Sequence, residues 1–310
     1  MTILTSGPAR RLLRPVATLI DQRIDRALRR HTAAAPHEAS TQPDPQDARF
    51  RHALDLLLGS EGRGLARTPT AHQLARLADQ ITETTGAQAG HARRNTAQAF
   101  RTLVALEALG VGRIAGGTLN ICGKLATVPL LRPPNGEVLE IGTLYGLFAA
   151  ALTRTLQRSG LAPEVTIVDP LAGTQLQPDA AADRPDPSGT PVRRAAVLEN
   201  LALAGAAGQR ARIQPGFSED PEVRAAVSDR AYGVIIIDGD HSRDGVLADL
   251  RWAEEIAAPG GVVVLDDYGD PSWPGVAEAL EVHLKGESRF TLLGRVANSA
   301  FLRADSPRAD

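Results

Sequence analysis

A chain of 310 residues, 43% hydrophobic and 23% charged, carries enough apolar matter for one large domain or two moderate ones. The formal net charge of -2 offers no bulk attraction to nucleic acid or to an anionic membrane, and no uninterrupted apolar run is long enough to span a bilayer. The single cysteine, Cys122, excludes an internal disulfide; it reads as a packed small hydrophobe, and cysteine usage of this kind suits a reducing cytoplasm.

Residues 10–30 have helical periodicity, with Leu12, Leu13, Val16, Leu19, Ile20, Ile24 and Leu28 available for one face and arginines on the other. Asp21 and Asp25 argue against a targeting peptide. A surface helix with solvated arginines is the favoured reading, and a membrane-surface or partner-docking helix the alternative. Residues 31–47, rich in Ala, Pro, Thr and Asp, read as a flexible connector. A helix at 48–58 and a Gly-rich turn at 59–64 follow. Thr70 caps a helix containing Leu74, Leu77, Ala78 and Ile81, and another runs from Thr96 to Leu109, closed by Gly110.

The pattern changes near Gly116. Apolar strand-like runs at 138–141, 165–168, 211–214, 234–237 and 262–265 alternate with helical segments, and two closely spaced runs follow at 290–293 and 300–302. Strands alternating with helices imply right-handed crossovers and a doubly wound, mainly parallel α/β sheet covered on both faces. The last two runs fit an antiparallel edge pair with Val296, Ala297 and Asn298 in the turn. We therefore divide the chain into a helical N-terminal region, residues 1–117, and an α/β domain, residues 118–310.

In such a sheet, ligands collect at the carboxyl ends of the strands. The first strand ends in Glu140-Ile141-Gly142-Thr143-Leu144-Tyr145-Gly146. Gly142 and Gly146 permit a tight turn, but their spacing is not that of a dinucleotide fingerprint, and the Glu140 carboxylate is ill placed for a diphosphate. A phosphate-free cofactor with a cationic amino acid portion fits better, and S-adenosylmethionine has both properties. A nicotinamide oxidoreductase is correspondingly disfavoured. Asp169, ending the second strand, reads either as an acceptor for a ribose diol or as a surface turn residue before Pro170. Ser218, after the third, borders an adenine or caps the helix beginning near Pro221.

The fourth strand ends in Asp238-Gly239-Asp240-His241 and the fifth in Asp266-Asp267-Tyr268. Carboxylates at the ends of neighbouring strands repel one another unless a cation lies between them. Mg²⁺ is a candidate, since it takes a few carboxylates and keeps waters for its substrate. The alternative is that Asp238 and Asp240 cap a loop and helix while Asp266 and Asp267 sit in a solvated turn.

These motifs, in this order, resemble those of class I S-adenosylmethionine-dependent methyltransferases, and most of all the metal-dependent small-molecule O-methyltransferases of the catechol type and the bacterial natural-product and sugar branch. The resemblance spans about 119–302 and leaves the N-terminal region uncovered. It implies a Rossmann-like seven-stranded sheet, with Lys124, Glu140, Gly142, Thr143, Tyr145, Gly146, Asp169, Ser218 and Asp238 around the cofactor. It also implies a divalent cation on Asp238, Asp266 and Asp267, and either His241 or Asp240 as the base that accepts the hydroxyl proton. Lys124 would face the methionine carboxylate, a solvated lysine being the other reading. Tyr268 packs its ring or lines the acceptor pocket, and Trp273 in its turn is a candidate for touching the acceptor. The long segment 170–194 reads as a lid over it. The expected substrate is a small hydroxylated metabolite, with no nucleic acid or membrane partner and a homo-oligomeric state. A metal-independent N-methyltransferase and a non-catalytic binding protein on the same fold are the competing readings.

Overall fold

In a computed structural model, residues 68–173 and 190–306 are described. The expected helices at 10–30 and 48–58, the connector at 31–47, the turn at 59–64 and most of the segment expected to form a lid lie outside them. The described residues from Pro69 onward make one compact unit.

Three helices precede the first strand: α1 (Ala71–Thr85), α2 (Ala89–Leu109) and α3 (Thr118–Leu130). Helix α1 begins where the sequence places it. Thr70 accepts a hydrogen bond from the Gln73 amide at 3.2 Å, and the Gln73 side chain accepts from the Thr70 amide at 2.8 Å. It ends at Gly86, whose φ of 67° supplies the left-handed cap. Helix α2 starts at Ala89, ahead of the expected Thr96, because its polar first turns hide the apolar stripe that begins at Ala92. Helix α3 was not visible as a helix: ten of its thirteen residues are buried, so it has no polar face to set a period. These helices cover the sheet rather than form a separate body. α1 lies along the sixth strand, where Gly294 leaves only enough room for Thr84, and Asn95 of α2 donates to the Ala126 carbonyl of α3. The compact unit thus starts at Pro69, ahead of the change of pattern near residue 117.

The sheet contains seven strands: β1 (Glu137–Ile141), β2 (Glu164–Asp169), β3 (Arg212–Pro215), β4 (Tyr232–Ile237), β5 (Ala257–Leu265), β6 (Phe290–Val296) and β7 (Ser299–Ala304). Their spatial order is β3-β2-β1-β4-β5-β7-β6, with β7 antiparallel to both β5 and β6 and the rest parallel. The Val- and Ile-rich runs become the strands buried on both faces, as parallel sheets require. Between them run α4 (Leu147–Arg158), α5 (Arg194–Ala202), α6 (Ala206–Gln209), α7 (Pro221–Val227), α8 (Arg243–Ile256) and α9 (Pro274–Lys285). The edge hairpin forms as expected, except that Val296 pairs with Ser299, leaving Ala297 and Asn298 as the turn. Among the described residues, no helix is long and apolar enough to cross a membrane.

Strand order reverses direction between β1 and β4, which opens a crevice at their carboxyl ends. Ile141 pairs with Ile237, and Ile237 with Leu265. Register therefore puts Gly142, Asp238 and Asp266 side by side just past the ends of three adjacent strands. Gly142 has a φ of 81°, and a Cβ there would overlap the Asp238 carbonyl oxygen. Only glycine lets the two strand ends come this close.

Candidate active site

Two cavities open at this end of the sheet and share Asp238 as a wall. The first, of about 390 Å³, runs over the end of β1 and is bordered by Glu140, Gly142, Thr143, Asp169, Ser218 and Asp249. Glu140 lies near the carboxyl end of β1 between Leu139 and Ile141 and is 2% exposed. Burial pushes it up to about 8, opposed by the Thr143 hydroxyl that donates to it and reinforced by Asp238. A buried carboxylate held this unwillingly neutral would gain from a cationic partner in the cavity.

Asp249 is absent from the sequence-derived candidates. It sits on the inward face of α8 among Val246, Leu250 and Ala253, and burial pushes it up to about 6. One of its carboxylate oxygens, Oδ2, is buried with no hydrogen-bond partner. An acid interrupting an apolar helical stripe was the available signal. An orphaned acceptor beside a cavity calls for an amine or amide donor. A ligand that brings a cationic ammonium for Glu140 and a neutral amine for Asp249 suits this cavity, and S-adenosylmethionine carries both.

The other expected cofactor residues divide. Asp169 turns inward: its Oδ2 accepts from the Thr143 amide at 2.8 Å and the Leu144 amide at 3.3 Å, and its Oδ1 from the Leu171 amide at 2.7 Å. It thus ties down the glycine turn while still bordering the cavity, and Leu144 is held there at a φ of 55°. Ser218 borders the cavity and does not cap α7, which starts after Asp220. Tyr145 does not reach it. Its ring is fully buried against Gly112 and its hydroxyl donates to the Thr190 carbonyl, so it is a packing residue. Gly146, at a φ of 75°, serves as the N-cap of α4.

The second cavity, of about 920 Å³, reaches from α1 and the start of α3 to the ends of β4 and β5. Its floor is Asp238, His241, Asp266 and Asp267, and Trp273 and Arg295 stand at its side. His241 is 7% exposed and its ring lies 4.8 Å from that of Trp273, centroid to centroid. Its Nε2 is 3.7 Å from Asp238 Oδ1 and 3.6 Å from Asp267 Oδ2. Burial alone would lower this imidazole, but the two flanking carboxylates outweigh it and hold it up. Asp267, in the left-handed region at a φ of 52°, is pushed up to about 7 by burial and by the charges of Asp266 and Asp238. Asp240 points elsewhere. It borders the first cavity and accepts from the Ser242 amide and hydroxyl at 2.7 and 2.9 Å, while Ser242 caps α8. Of the two candidate bases, His241 alone lies in the acid cluster. Tyr268 packs against the core beneath.

The expected divalent site does not fit these residues. Asp238 and Asp266 do converge, but the ammonium of Lys124 lies between them, 3.2 Å from Asp238 Oδ2 and in direct contact with Asp266 Oδ2. Asp266 Oδ1 is occupied by Asn120 Nδ2 at 2.7 Å and the Ser299 hydroxyl at 2.8 Å. Lys124 is 2% exposed, so it is not the solvated lysine of the alternative reading. Its contact holds Asp266 well below the usual carboxylate range despite burial, while Asp238 is raised by burial and by Asp266. Among the described residues, no group of three or more His, Cys, Asp or Glu side chains is disposed to hold a metal ion. The repulsion that led the sequence reading to a cation is real, and an ammonium relieves it.

Residues 139–268 match the sequence model of a family described as a methyltransferase domain. No curated protein matches the chain significantly. Solved structures that align with it include the O-methyltransferase NovP (17% identity, 76% of this chain and 100% of that one, TM-score 0.47). Others are an O-methyltransferase from Bacillus cereus in complex with SAH (14%, 83% and 97%, 0.40) and CalS11, a TDP-rhamnose 3'-O-methyltransferase of calicheamicin biosynthesis (17%, 85% and 96%, 0.42). Residues 139–268, the stretch that resembles a methyltransferase domain, run from within β1 to just past β5 and so include the strand ends that border both cavities.

Proposed function

We propose that this chain is an S-adenosylmethionine-dependent O-methyltransferase acting on a hydroxyl of a small metabolite. The observation that carries the proposal is the wall common to both cavities: Asp238 borders the one suited to the methyl donor and also the one that contains His241 and Asp267. Bound in the first cavity, S-adenosylmethionine supplies a sulfonium methyl and leaves as a neutral thioether.

The chain's own residues then have three tasks. Glu140 and Asp249 hold the donor's ammonium and amine. Asn120, Ser299 and Lys124 lock Asp266, and through Lys124 also Asp238, so that the floor between the cavities does not shift as charge moves across it. His241, whose buried ring nitrogens have no hydrogen-bond partner and whose Nε2 stands near two carboxylates, accepts the proton that the acceptor hydroxyl must lose. Holding donor and acceptor in adjoining cavities supplies the remaining advantage, since methyl transfer depends largely on positioning. No step is assigned to a divalent ion.

The test is a screen of hydroxylated metabolites, with matched amines, against donor labelled in its methyl group, with products assigned by mass and carbon-13 shift. The proposal expects label on oxygen. Label confined to nitrogen would establish the N-methyltransferase reading, and tight donor binding with no transfer to any acceptor would favour a binding protein.

A further inference from the structure

We propose that Lys124 is a built-in counter-cation which occupies the place of a divalent ion in the acid cluster, so that the site is assembled and held without metal. The inference builds on the reading of this cluster as the methyl-transfer site, but its evidence is the packing of the cluster itself.

The cluster has two gaps between carboxylates, and a protein group fills each. Between Asp238 and Asp266 lies the Lys124 ammonium; between Asp238 and Asp267 lies the His241 ring, at 3.7 and 3.6 Å. A divalent ion at either position would meet an existing cation or displace a side chain. Lys124 is poorly placed to leave. It projects from α3, whose residues on every side are buried, and its ammonium also lies 4.7 Å from the centre of the Phe148 ring. Asp266 is aimed at Lys124 by a chain of hydrogen bonds. Asn120 Oδ1 accepts from the Asn298 amide at 3.1 Å, which orients Asn120 Nδ2 towards Asp266 Oδ1, and the Ser299 hydroxyl donates its one proton to the same oxygen. That leaves Oδ2 for Lys124.

The geometry required by Mg²⁺ differs from this one. It demands oxygens at about 2.0–2.1 Å in near-octahedral array and several retained waters, whereas a buried ammonium needs only two or three acceptors in contact. Asp266, 6% exposed, has one oxygen taken by two donors and the other by the Lys124 ammonium, so it has no free oxygen to offer a hydrated ion. Lys124 comes from a helix 114 residues away from Asp238 in sequence, so the substitution is invisible to motif comparison.

The experiment is a Mn²⁺ titration of the full-length protein in chelator-treated buffer, followed by electron paramagnetic resonance of free Mn²⁺ and by calorimetry. It is run on the wild type, on Lys124→Met, and on Lys124→Met combined with Asp238→Asn. The wild type is expected to show no saturable binding below millimolar Mn²⁺. Lys124→Met, which keeps the side-chain length and removes the charge, should gain a site at least about tenfold tighter, and Asp238→Asn should abolish it, because the freed carboxylates then take the hard cation. Micromolar Mn²⁺ binding by the wild type would overturn the proposal, as would a folded Lys124→Met protein that gains no binding. If Lys124→Met fails to fold, the wild-type titration decides. None of these readouts involves methyl transfer, so their outcome is separate from that of the proposed activity.

Discussion

Replacing Glu140 with Gln gives the sharpest energetic test of the cofactor cavity. In the folded chain burial raises this carboxyl from 4.5 to about 8. Each tenfold change in proton affinity is worth about 1.4 kcal/mol, so the ionised side chain costs the empty fold on the order of 5 kcal/mol. The sign follows from proton counts. Between pH 4.5 and about 8 the folded chain keeps the Glu140 proton and the unfolded chain has released it. The unfolded state thus binds fewer protons, and stability falls as pH rises across that window. Below it the penalty is absent; above it the penalty is complete and constant. Glutamine keeps an acceptor for the Thr143 hydroxyl and never ionises. Urea denaturation of both proteins at pH 5, 7 and 9, without cofactor, should therefore show Glu140→Gln gaining on the wild type with pH, by a total of up to about 5 kcal/mol and then levelling off. A difference that stays flat between pH 5 and 9 would refute the assignment of Glu140 as a buried acid held neutral in the empty cavity.

Other consequences are open to direct measurement. His241→Asn and Asp267→Asn should each lower turnover by about 10²- to 10⁴-fold while leaving donor binding within a few-fold, as expected for loss of the proton acceptor; an equal loss of donor affinity would move these residues into the cofactor site. With His241 and Asp267 both raised, Asp267 to about 7, turnover should climb as pH passes upward through neutrality, and a rate independent of pH there would remove them as the proton acceptor. Gly142→Ala places a methyl on the Asp238 carbonyl at a φ of 81°, so it should cost about 3 kcal/mol or more and weaken donor binding, read as a drop in thermal midpoint. Unchanged midpoint and affinity would show that the β1 and β4 ends are not locked together.

How far the sequence could be read varies along the chain for identifiable reasons. The sheet was legible because parallel strands are buried on both faces, so Val234 to Ile237 and Val262 to Leu265 stand out as unbroken apolar runs. Helix α1 was legible because Thr70 and Gly86 mark its ends, whereas α3 is apolar on nearly every side and carries no helical period. The acid cluster was half legible. Register puts Asp238 and Asp266 together, and adjacent strand ends announce that. What relieves their repulsion is a lysine on a helix before β1, and no local pattern links Lys124 to either acid. Tyr145 was misjudged because membership of a turn motif says nothing about which way a ring points. Here it points into the core.

Calorimetric titration of S-adenosylmethionine into chelator-treated protein at pH 8.5 tests most directly whether the cavity at the ends of β1 and β4 is the seat of the methyl donor. Saturable one-site binding that survives chelation, and that Glu140→Gln and Asp249→Asn each weaken about tenfold or more, is the predicted result. No saturable binding, binding restored only by a divalent ion, or affinity indifferent to both substitutions would contradict it.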